Sequence, residues 1–232
     1  SAQFQFGRYL VNVSKERGHQ IFLTTHSEFI LNSLHSKSRI FINRTDGGIR
    51  PIVGLTALQA KSLMSNGSEK ALHILVEDKC AKSILFQIIK KVDINLLQSV
   101  GIYPAGDSDV IAKTVRSLKD TGLPVVAIRD GDKGDSIKEG IFKLPGSLPP
   151  EKELFSNREV KDYILSQYNI NLDDFLATLR GVDHHDWLER LAKQVSHDEI
   201  ALVSEMAQIY AGSLPEGIAM ALIKPLIEAS RR

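Results

Sequence analysis

The sequence predicts an α/β fold in which a parallel sheet is flanked by helices and followed by a helical region. Strand-like and helix-like segments alternate between residues 72 and 129, and such alternation is typical of a parallel sheet with helices on its faces. From residue 159 onward only helical spacing of the apolar residues is found. The chain has 232 residues, of which 43% are hydrophobic and 25% charged. This composition supports a substantial core and excludes disorder or collagen-like repetition.

Residues 1–56 are predicted to form the last part of a separate α/β unit. Apolar residues at Phe6, Leu10 and Val13 recur at helical spacing, and Gly18 suits the end of that helix. A short buried strand is expected at 20–24, and a second helix at 28–34. Two further strands, 39–43 and 49–53, flank the turn signal Thr45-Asp46-Gly47-Gly48.

The boundary between domains is expected in segment 57–71, a linker with a short helix followed by the loop Ser65-Asn66-Gly67-Ser68. An α/β core over 72–158 follows, and then a helical extension over 159–232 that is expected to pack on the core. A proline-rich turn at 145–150 comes after the last strand of the core. The predicted strands of the core are 72–76, 99–103, 124–129 and 142–144, and its predicted helices are 80–92 and 109–121.

Charge and cysteine content restrict the classes of partner and compartment. The chain has 29 Lys and Arg residues against 28 Asp and Glu, a formal net charge of +1, so any nucleic-acid site must be local. A single cysteine, Cys80, excludes an intrachain disulfide and a Cys-rich zinc site, and fits a reducing compartment. No long apolar run is present, so we expect a cytoplasmic protein without membrane contact. The absence of an initiator Met before Ser1 suggests that the natural protein begins upstream.

Acidic residues directly follow three of the predicted strands. Glu77 and Asp78 follow the first strand, Asp107 the second, and Asp130 and Asp132 the third. If these strands are neighbours, the carboxylates converge at one edge of the sheet, where ligands of parallel α/β folds bind. Oxygen ligands without His or Cys suit Mg²⁺ or Mn²⁺. The alternative is that these acids only cap helices and form turns, but two carboxylates on one glycine-containing loop repel each other unless a cation is present.

The acidic motifs resemble those of a known domain. Leu75-Val76-Glu77 at the start of a strand-to-helix unit, with Ile128-Arg129-Asp130-Gly131-Asp132 two units later, resembles the Toprim domain of topoisomerases, primases and certain nucleases. Upstream, Ile21-Phe22-Leu23-Thr24-Thr25-His26-Ser27 resembles the switch-histidine strand of ABC-type ATPases of the SMC kind. An ABC ATPase end that runs directly into a Toprim domain resembles the layout of the OLD (overcoming lysogenisation defect) family of nucleases.

This resemblance implies a metal-dependent DNA endonuclease or nickase that uses Mg²⁺ or Mn²⁺, with two ions expected. Glu77 would be a metal ligand or general base, and Asp130 and Asp132 the metal-binding pair. Asp107 and Ser108 would help to hold metal or phosphate. The family has a proline-rich segment ahead of an acidic residue, which places Glu151 as a further ligand, with Glu153 as second choice. Asp78 stands where Toprim domains usually have glycine, so it remains open whether it is a ligand or a helix cap.

The resemblance also implies partners and regulation that lie mostly outside this chain. His26 would sense the γ-phosphate of ATP, but no phosphate-binding loop of the G-x-x-x-x-G-K-[ST] type occurs in the sequence. ATP is therefore expected to act only in the intact protein, where an upstream ATPase domain would regulate the nuclease. Homodimerisation through that domain and a role in defence against phage are implied in the same way.

Several other residues are candidates for binding. Lys113 and Arg116 share one face of a predicted helix, and Lys133 follows the Asp-x-Asp loop, so the three could contact DNA phosphates or simply face solvent. The adjacent His184 and His185 could offer metal or proton-transfer groups, but surface positions are favoured because neighbouring side chains on a helix diverge.

Two other functions remain open at the sequence level. One is a non-catalytic regulatory module that binds DNA or metal through the same acids. The other is a phosphatase of the haloacid-dehalogenase type. It is disfavoured because those phosphatases carry their Asp-x-Asp after the first strand of the fold, whereas Asp130 of this chain follows the third.

Overall fold

A computed structural model of the chain describes residues 1–45, 48–64, 70–119 and 121–230. These residues form two compact units. The first comprises the described residues up to Ala71, with 98–100 and Ser230, and the second comprises those of Leu72–Leu97 and Gly101–Ala229. No helix in the described part of the chain is long and apolar enough to cross a membrane.

In its described residues, the first unit contains three α-helices, a 3₁₀ helix at Ser36–Ser38 and an antiparallel strand pair. Ser1 caps its first helix by accepting a hydrogen bond from Phe4 N, and Gly18 ends that helix with a φ of 65°, a left-handed conformation that glycine adopts without strain. The two strands pair with each other as predicted, whereas Asp46 and Gly47 of the predicted turn lie outside the described residues. The elements are α1 (Ala2–Arg17), α2 (Glu28–Ser33), β1 (Ile40–Thr45), β2 (Gly48–Val53) and α3 (Ala57–Met64).

The buried strand expected at 20–24 is wrong. Residues 18–27 have no regular secondary structure, and Phe22 is 83% exposed. A strand needs a hydrogen-bonded neighbour, and the strands of the described chain form a pair from β1 and β2 and a separate four-stranded sheet, with none beside 20–24. The loop predicted at 65–68 lies outside the described residues.

The second unit is built on a parallel four-stranded sheet, as the sequence predicts. Its strands lie in the order β4-β3-β5-β6, so the two central strands are β3 and β5. Val76 at the end of β3 is in register with Ile128 of β5, and Ile128 with Phe142 of β6. This register brings the residues after β3 and β5 to the same edge. The strands are β3 (Leu72–Val76), β4 (Val100–Pro104), β5 (Val125–Arg129) and β6 (Ile141–Lys143).

Helices cover the sheet, and further helices follow it. Ile111 and Val115 of the helix after β4 pack against Ala127 and Ile141 on one face, while the helix after β3 contacts that strand and also the long helix at 199–213. The C-terminal region is helical, as predicted. The helices of this part of the chain are α4 (Lys79–Val92), α5 (Ile94–Ser99), α6 (Ser108–Lys119), α7 (Pro150–Ser156), α8 (Arg158–Tyr168), α9 (Leu172–Thr178), α10 (Trp187–Gln194), α11 (Glu199–Ser213) and α12 (Glu216–Ala229).

Truncation of Ile128 tests the placement of β5 at the centre of the sheet. Ile128 is fully buried, so Ile128→Ala should lower the free energy of unfolding by about 2–5 kcal/mol, because it removes apolar contacts and leaves a cavity. Urea denaturation followed by circular dichroism measures this change. Ile137→Ala is the matched control, since that side chain is 68% exposed and its loss should cost less than about 0.5 kcal/mol. Equal effects of the two changes would contradict the placement.

Candidate metal centre

The register of β3 and β5 places Glu77 and Asp130 side by side. Each residue comes directly after its strand, at the carboxyl edge of the sheet. The backbone N–H of Asp130 donates a hydrogen bond of 3.0 Å to Oε1 of Glu77. The Glu77 carboxylate is therefore fixed against the start of the Asp-x-Asp loop, and the predicted convergence of these two acids is present in the structure.

Asp130 is an acid held almost entirely away from solvent. Asp130 is only 6% exposed, and its Oδ1 has no hydrogen-bond partner among the described residues. Burial, together with the nearby carboxylates of Glu77, Asp78 and Glu151, raises the pKa of Asp130 to about 8. An ionised Asp130 thus needs a positive charge beside it, because a buried unpaired charge is strongly unfavourable.

Glu151 is the second buried acid of the site. It lies in the first turn of α7, which begins at Pro150, and it is 3% exposed. Its Oε2 has no hydrogen-bond partner within the described ranges, and Oε1 lies 3.6 Å from Nδ1 of His185. Burial and the charge of Asp78 raise the pKa of Glu151. Two unpartnered buried carboxylate oxygens therefore occur in one neighbourhood, on Asp130 and Glu151.

The remaining acids of the edge are less buried. Burial raises the pKa of Glu77, while the hydrogen bond from Asp130 N and the charge of Lys133 oppose that shift. Asp132 is exposed and pairs with Lys133, with 3.2 Å between Oδ2 and Nζ. Asp78 caps α4 by accepting a hydrogen bond of 2.7 Å from Ala81 N. Asp78 is thus a helix cap that also contributes negative charge to the site.

Close backbone packing fixes the Asp-x-Asp loop. A Cβ on Gly131 would lie 3.0 Å from the carbonyl oxygen of Leu148, so a side chain here would displace the loop before α7. The Gly131 carbonyl accepts a hydrogen bond from Lys143 Nζ. Glu153 holds the facing loop, because its Oε1 accepts hydrogen bonds from the N–H groups of Ser147 and Leu148. Glycine is therefore required between the two aspartates by the approach of the proline-rich turn.

Three of the predicted site residues have other contacts in this structure. Oδ1 of Asp107 accepts hydrogen bonds of 3.0 Å from both Asp109 N and Val110 N, which caps α6, and the residue is exposed. The carbonyl oxygen of Ser108 accepts a hydrogen bond of 3.4 Å from Arg129 Nη2. Glu153 supports the loop as described above. Metal or phosphate binding by these residues stays a prediction.

The predicted DNA contacts lie on exposed positions. Lys113 is exposed on α6, and Arg116 on the same helix pairs with Glu139, with 2.8 Å between Nη2 and Oε2. Lys133 is exposed beside the Asp-x-Asp loop and pairs with Asp132. DNA binding by the three cations stays a prediction.

His26 lies in the first unit. Its Nδ1 is 3.3 Å from the sulfur of Met64, and the next residue, Ser27, caps α2 through a hydrogen bond from Ile30 N. Nucleotide sensing by His26 stays a prediction.

The structure adds two residues that the sequence did not place in the site. His184 and His185 lie in a short 3₁₀ turn at 184–186, and their imidazoles form a group with Glu151 in which the ligand atoms are all within 4.8 Å of one another. Glu151 precedes them by more than thirty residues, so only the packing of the helical region brings them together. By contrast, Cys80 is buried, and burial beside the acids raises the pKa of its thiol, as expected for an unreactive cysteine.

Comparison with known proteins gives structural neighbours only. No protein-family model and no curated protein matches the chain. Three solved structures of the C-terminal region of the Xanthomonas campestris pv. campestris OLD protein are similar to it. They are 19%, 19% and 20% identical, with TM-scores of 0.40, 0.42 and 0.41, and each covers 70% of this chain and 95%, 94% or 92% of its own.

The raised pKa of Asp130 predicts how stability depends on pH without metal. The folded chain keeps this proton up to about pH 8, whereas the unfolded chain loses it near pH 4. Between these values the folded state binds more protons, so the free energy of unfolding falls as the pH rises. Asp130→Asn removes this dependence and should raise the melting temperature in EDTA at pH 8 but not at pH 4.

Differential scanning fluorimetry across this pH range measures the effect. Asp135→Asn is the control, because Asp135 is an exposed acid a few residues further along the same loop. A melting temperature that rises equally in both variants, or in neither, would contradict the burial of an unpaired Asp130.

Proposed function

We propose that the second unit is a metal-dependent phosphodiesterase that acts on DNA as an endonuclease or nickase. The observation that carries this proposal is the pair of buried, unpartnered carboxylate oxygens on Asp130 and Glu151 beside Glu77. Acids at the carboxyl edge of a parallel sheet lie where this class of fold binds ligands. The buried carboxylates of Asp130 and Glu151, each with an oxygen that has no hydrogen-bond partner among the described residues, suit a hard divalent ion.

The donor set fits Mg²⁺ or Mn²⁺. Asp130, Glu151 and Glu77 would be the inner ligands, and Asp132 would bind from the exposed rim of the loop. When bound, such ions activate a water for attack on a phosphodiester and neutralise charge on the leaving oxygen. The number of carboxylates supports two ions, which is also what the resemblance to OLD nucleases implies.

The protein itself supplies position and charge. The hydrogen bond from Asp130 N orients Glu77, and the loop packed on Gly131 fixes the direction of Asp130. Because cation binding requires ionised carboxylates, Asp130 must lose its proton as the ion enters. Affinity for the ion should therefore rise with pH up to the pKa of Asp130.

DNA would approach along the exposed cations near the acidic loop. Lys133 lies next to Asp132, and Lys113 and Arg116 lie on α6 after β4. With a formal net charge of only +1, binding would depend on these few phosphate contacts and would weaken as salt increases. In the intact protein, we expect the ATPase region to dimerise and to regulate access to this site.

Cleavage of supercoiled plasmid tests the proposal. The chain should nick or linearise plasmid with Mg²⁺ or Mn²⁺ but not with EDTA. Asp130→Ala and Glu151→Gln should each lower the rate by about 100-fold or more, because a ligand is lost. Asp135→Ala, which changes an exposed acid of the same loop, is the matched control and should cleave normally.

The same experiment separates the alternatives. A binding module would leave plasmid intact while calorimetry still detects Mg²⁺ or Mn²⁺ binding that Asp130→Ala removes. A phosphatase would hydrolyse p-nitrophenyl phosphate but not plasmid. Either result would overturn the nuclease proposal.

A further inference from the structure

A second group of potential metal ligands lies beside the acidic edge and contains nitrogen. His184 and His185 follow each other in a 3₁₀ turn, and their ring centroids are only 4.1 Å apart. The two imidazoles therefore lie together, where an α-helix would separate them. Their ligand atoms and one oxygen of Glu151 are all within 4.8 Å of one another.

Aromatic packing holds this turn against α7, the helix that carries Glu151. Trp187 contacts Phe155 of α7 edge to face at 5.5 Å, and its indole N–H donates a hydrogen bond to the carbonyl of Val182. The His184 ring also lies edge-on to Trp187 at 6.3 Å. The histidines are thus positioned by the same contacts that anchor the helical region, which gives them a fixed relation to Glu151.

The distance between His185 and Glu151 suits two ligands of one cation better than a direct hydrogen bond between them. Nδ1 of His185 and Oε1 of Glu151 are 3.6 Å apart, which is longer than a hydrogen bond. Two ligands that each bind a zinc-class ion at ~2.1 Å lie up to ~4.2 Å apart, so the observed separation falls within that range. Oε2 of Glu151, in a residue 3% exposed, has no partner in the described chain. A buried carboxylate oxygen in this state is a second, independent indication of a cation.

The surroundings of His184 match those of a ligating imidazole. Its Nδ1 lies 3.2 Å from Oδ1 of Asp183, so a carboxylate lies beside one nitrogen of the ring. A carboxylate near the second ring nitrogen is common among histidine ligands.

We propose that Glu151, His184 and His185 form a binding site for a transition-metal dication of the Zn²⁺ class, which shares Glu151 with the oxygen-only position at Asp130. Imidazole favours Zn²⁺, Co²⁺ and Ni²⁺ over Mg²⁺, so the site would discriminate between ions that the carboxylates alone accept. The His185 side chain is 58% exposed, and a groove of about 660 Å³ lined by Lys79, Lys82, Glu151 and His185 opens beside it. The site therefore has room for water or an anionic ligand on the bound ion. This inference concerns ion binding and does not depend on the proposed nuclease activity.

Nuclear magnetic resonance of the histidine rings tests the site directly. In the metal-free full chain, ZnCl₂ should shift the ring signals of His184 and His185, whereas MgCl₂ at the same concentration should not. Isothermal titration calorimetry should show that His184→Ala and His185→Ala each weaken Zn²⁺ binding by about 10-fold or more. Circular dichroism checks that the variants are folded.

The control is His197→Ala. His197 lies 3.2 Å from Glu205 and so forms a histidine–carboxylate pair, but it does not belong to the ligand group, and Zn²⁺ affinity should be unchanged. Equal Zn²⁺ affinity in all three histidine variants, or equal ring shifts with Mg²⁺, would overturn the inference.

Asp130→Asn separates this inference from the proposed function. The variant should lose plasmid cleavage but keep the Zn²⁺-dependent ring shifts. If the wild-type chain fails to cleave plasmid but shows the Zn²⁺-dependent shifts, the nuclease proposal is wrong and the histidine site is supported. If the chain cleaves plasmid without these shifts, the inference of a histidine site is wrong.

Discussion

The burial of unpaired acid at the edge of the sheet is the constraint on which the site depends. Asp130 and Glu151 are nearly inaccessible, and each has an oxygen without a partner in the described residues. Desolvation and mutual repulsion make the fully ionised state unfavourable. The site must therefore hold either protons or cations, and the raised pKa of Asp130 favours a proton there near neutral pH in the metal-free chain. Such an arrangement lowers the stability of the metal-free chain, and a bound cation would offset that cost.

The sheet and the helical region supply different parts of this arrangement. The parallel register of β3 and β5 positions Glu77 and Asp130, and this depends only on the order of strands. Glu151 and the two histidines come from α7 and the turn before α10, which contact each other. The helical region is thus part of the site, because it carries Glu151 and brings two imidazoles close to it.

The sequence could predict the features that are set by local pattern. Alternating strands and helices gave the parallel sheet, and acids directly after β3 and β5 could be placed at one edge because parallel strands end together. The strand expected at 20–24 was wrong, since a run of apolar residues does not specify a pairing neighbour. The cap formed by Asp107 was one of the two alternatives that the sequence left open. The meeting of His185 with Glu151 was not predictable, because it depends on helix packing that no periodicity encodes.

Glu151 links the two proposed ion positions through one carboxylate, so binding of an ion at one position changes the affinity of the other. Its charge raises the pKa of Asp130, so an ion held by Glu151, His184 and His185 would neutralise part of that charge. Asp130 would then ionise more readily, which favours entry of a hard cation at the neighbouring position. Coupling between sites is reciprocal in binding free energy, so each ion changes the affinity of the other site by the same factor. The hard cation would strengthen the histidine site only if it relieves more repulsion among the carboxylates than the two ions add between themselves. The two ions share one buried carboxylate and repel each other. The acids Glu77, Asp78 and Asp132 reduce that repulsion when they are ionised, so their charge decides whether binding of one ion strengthens or weakens binding of the other.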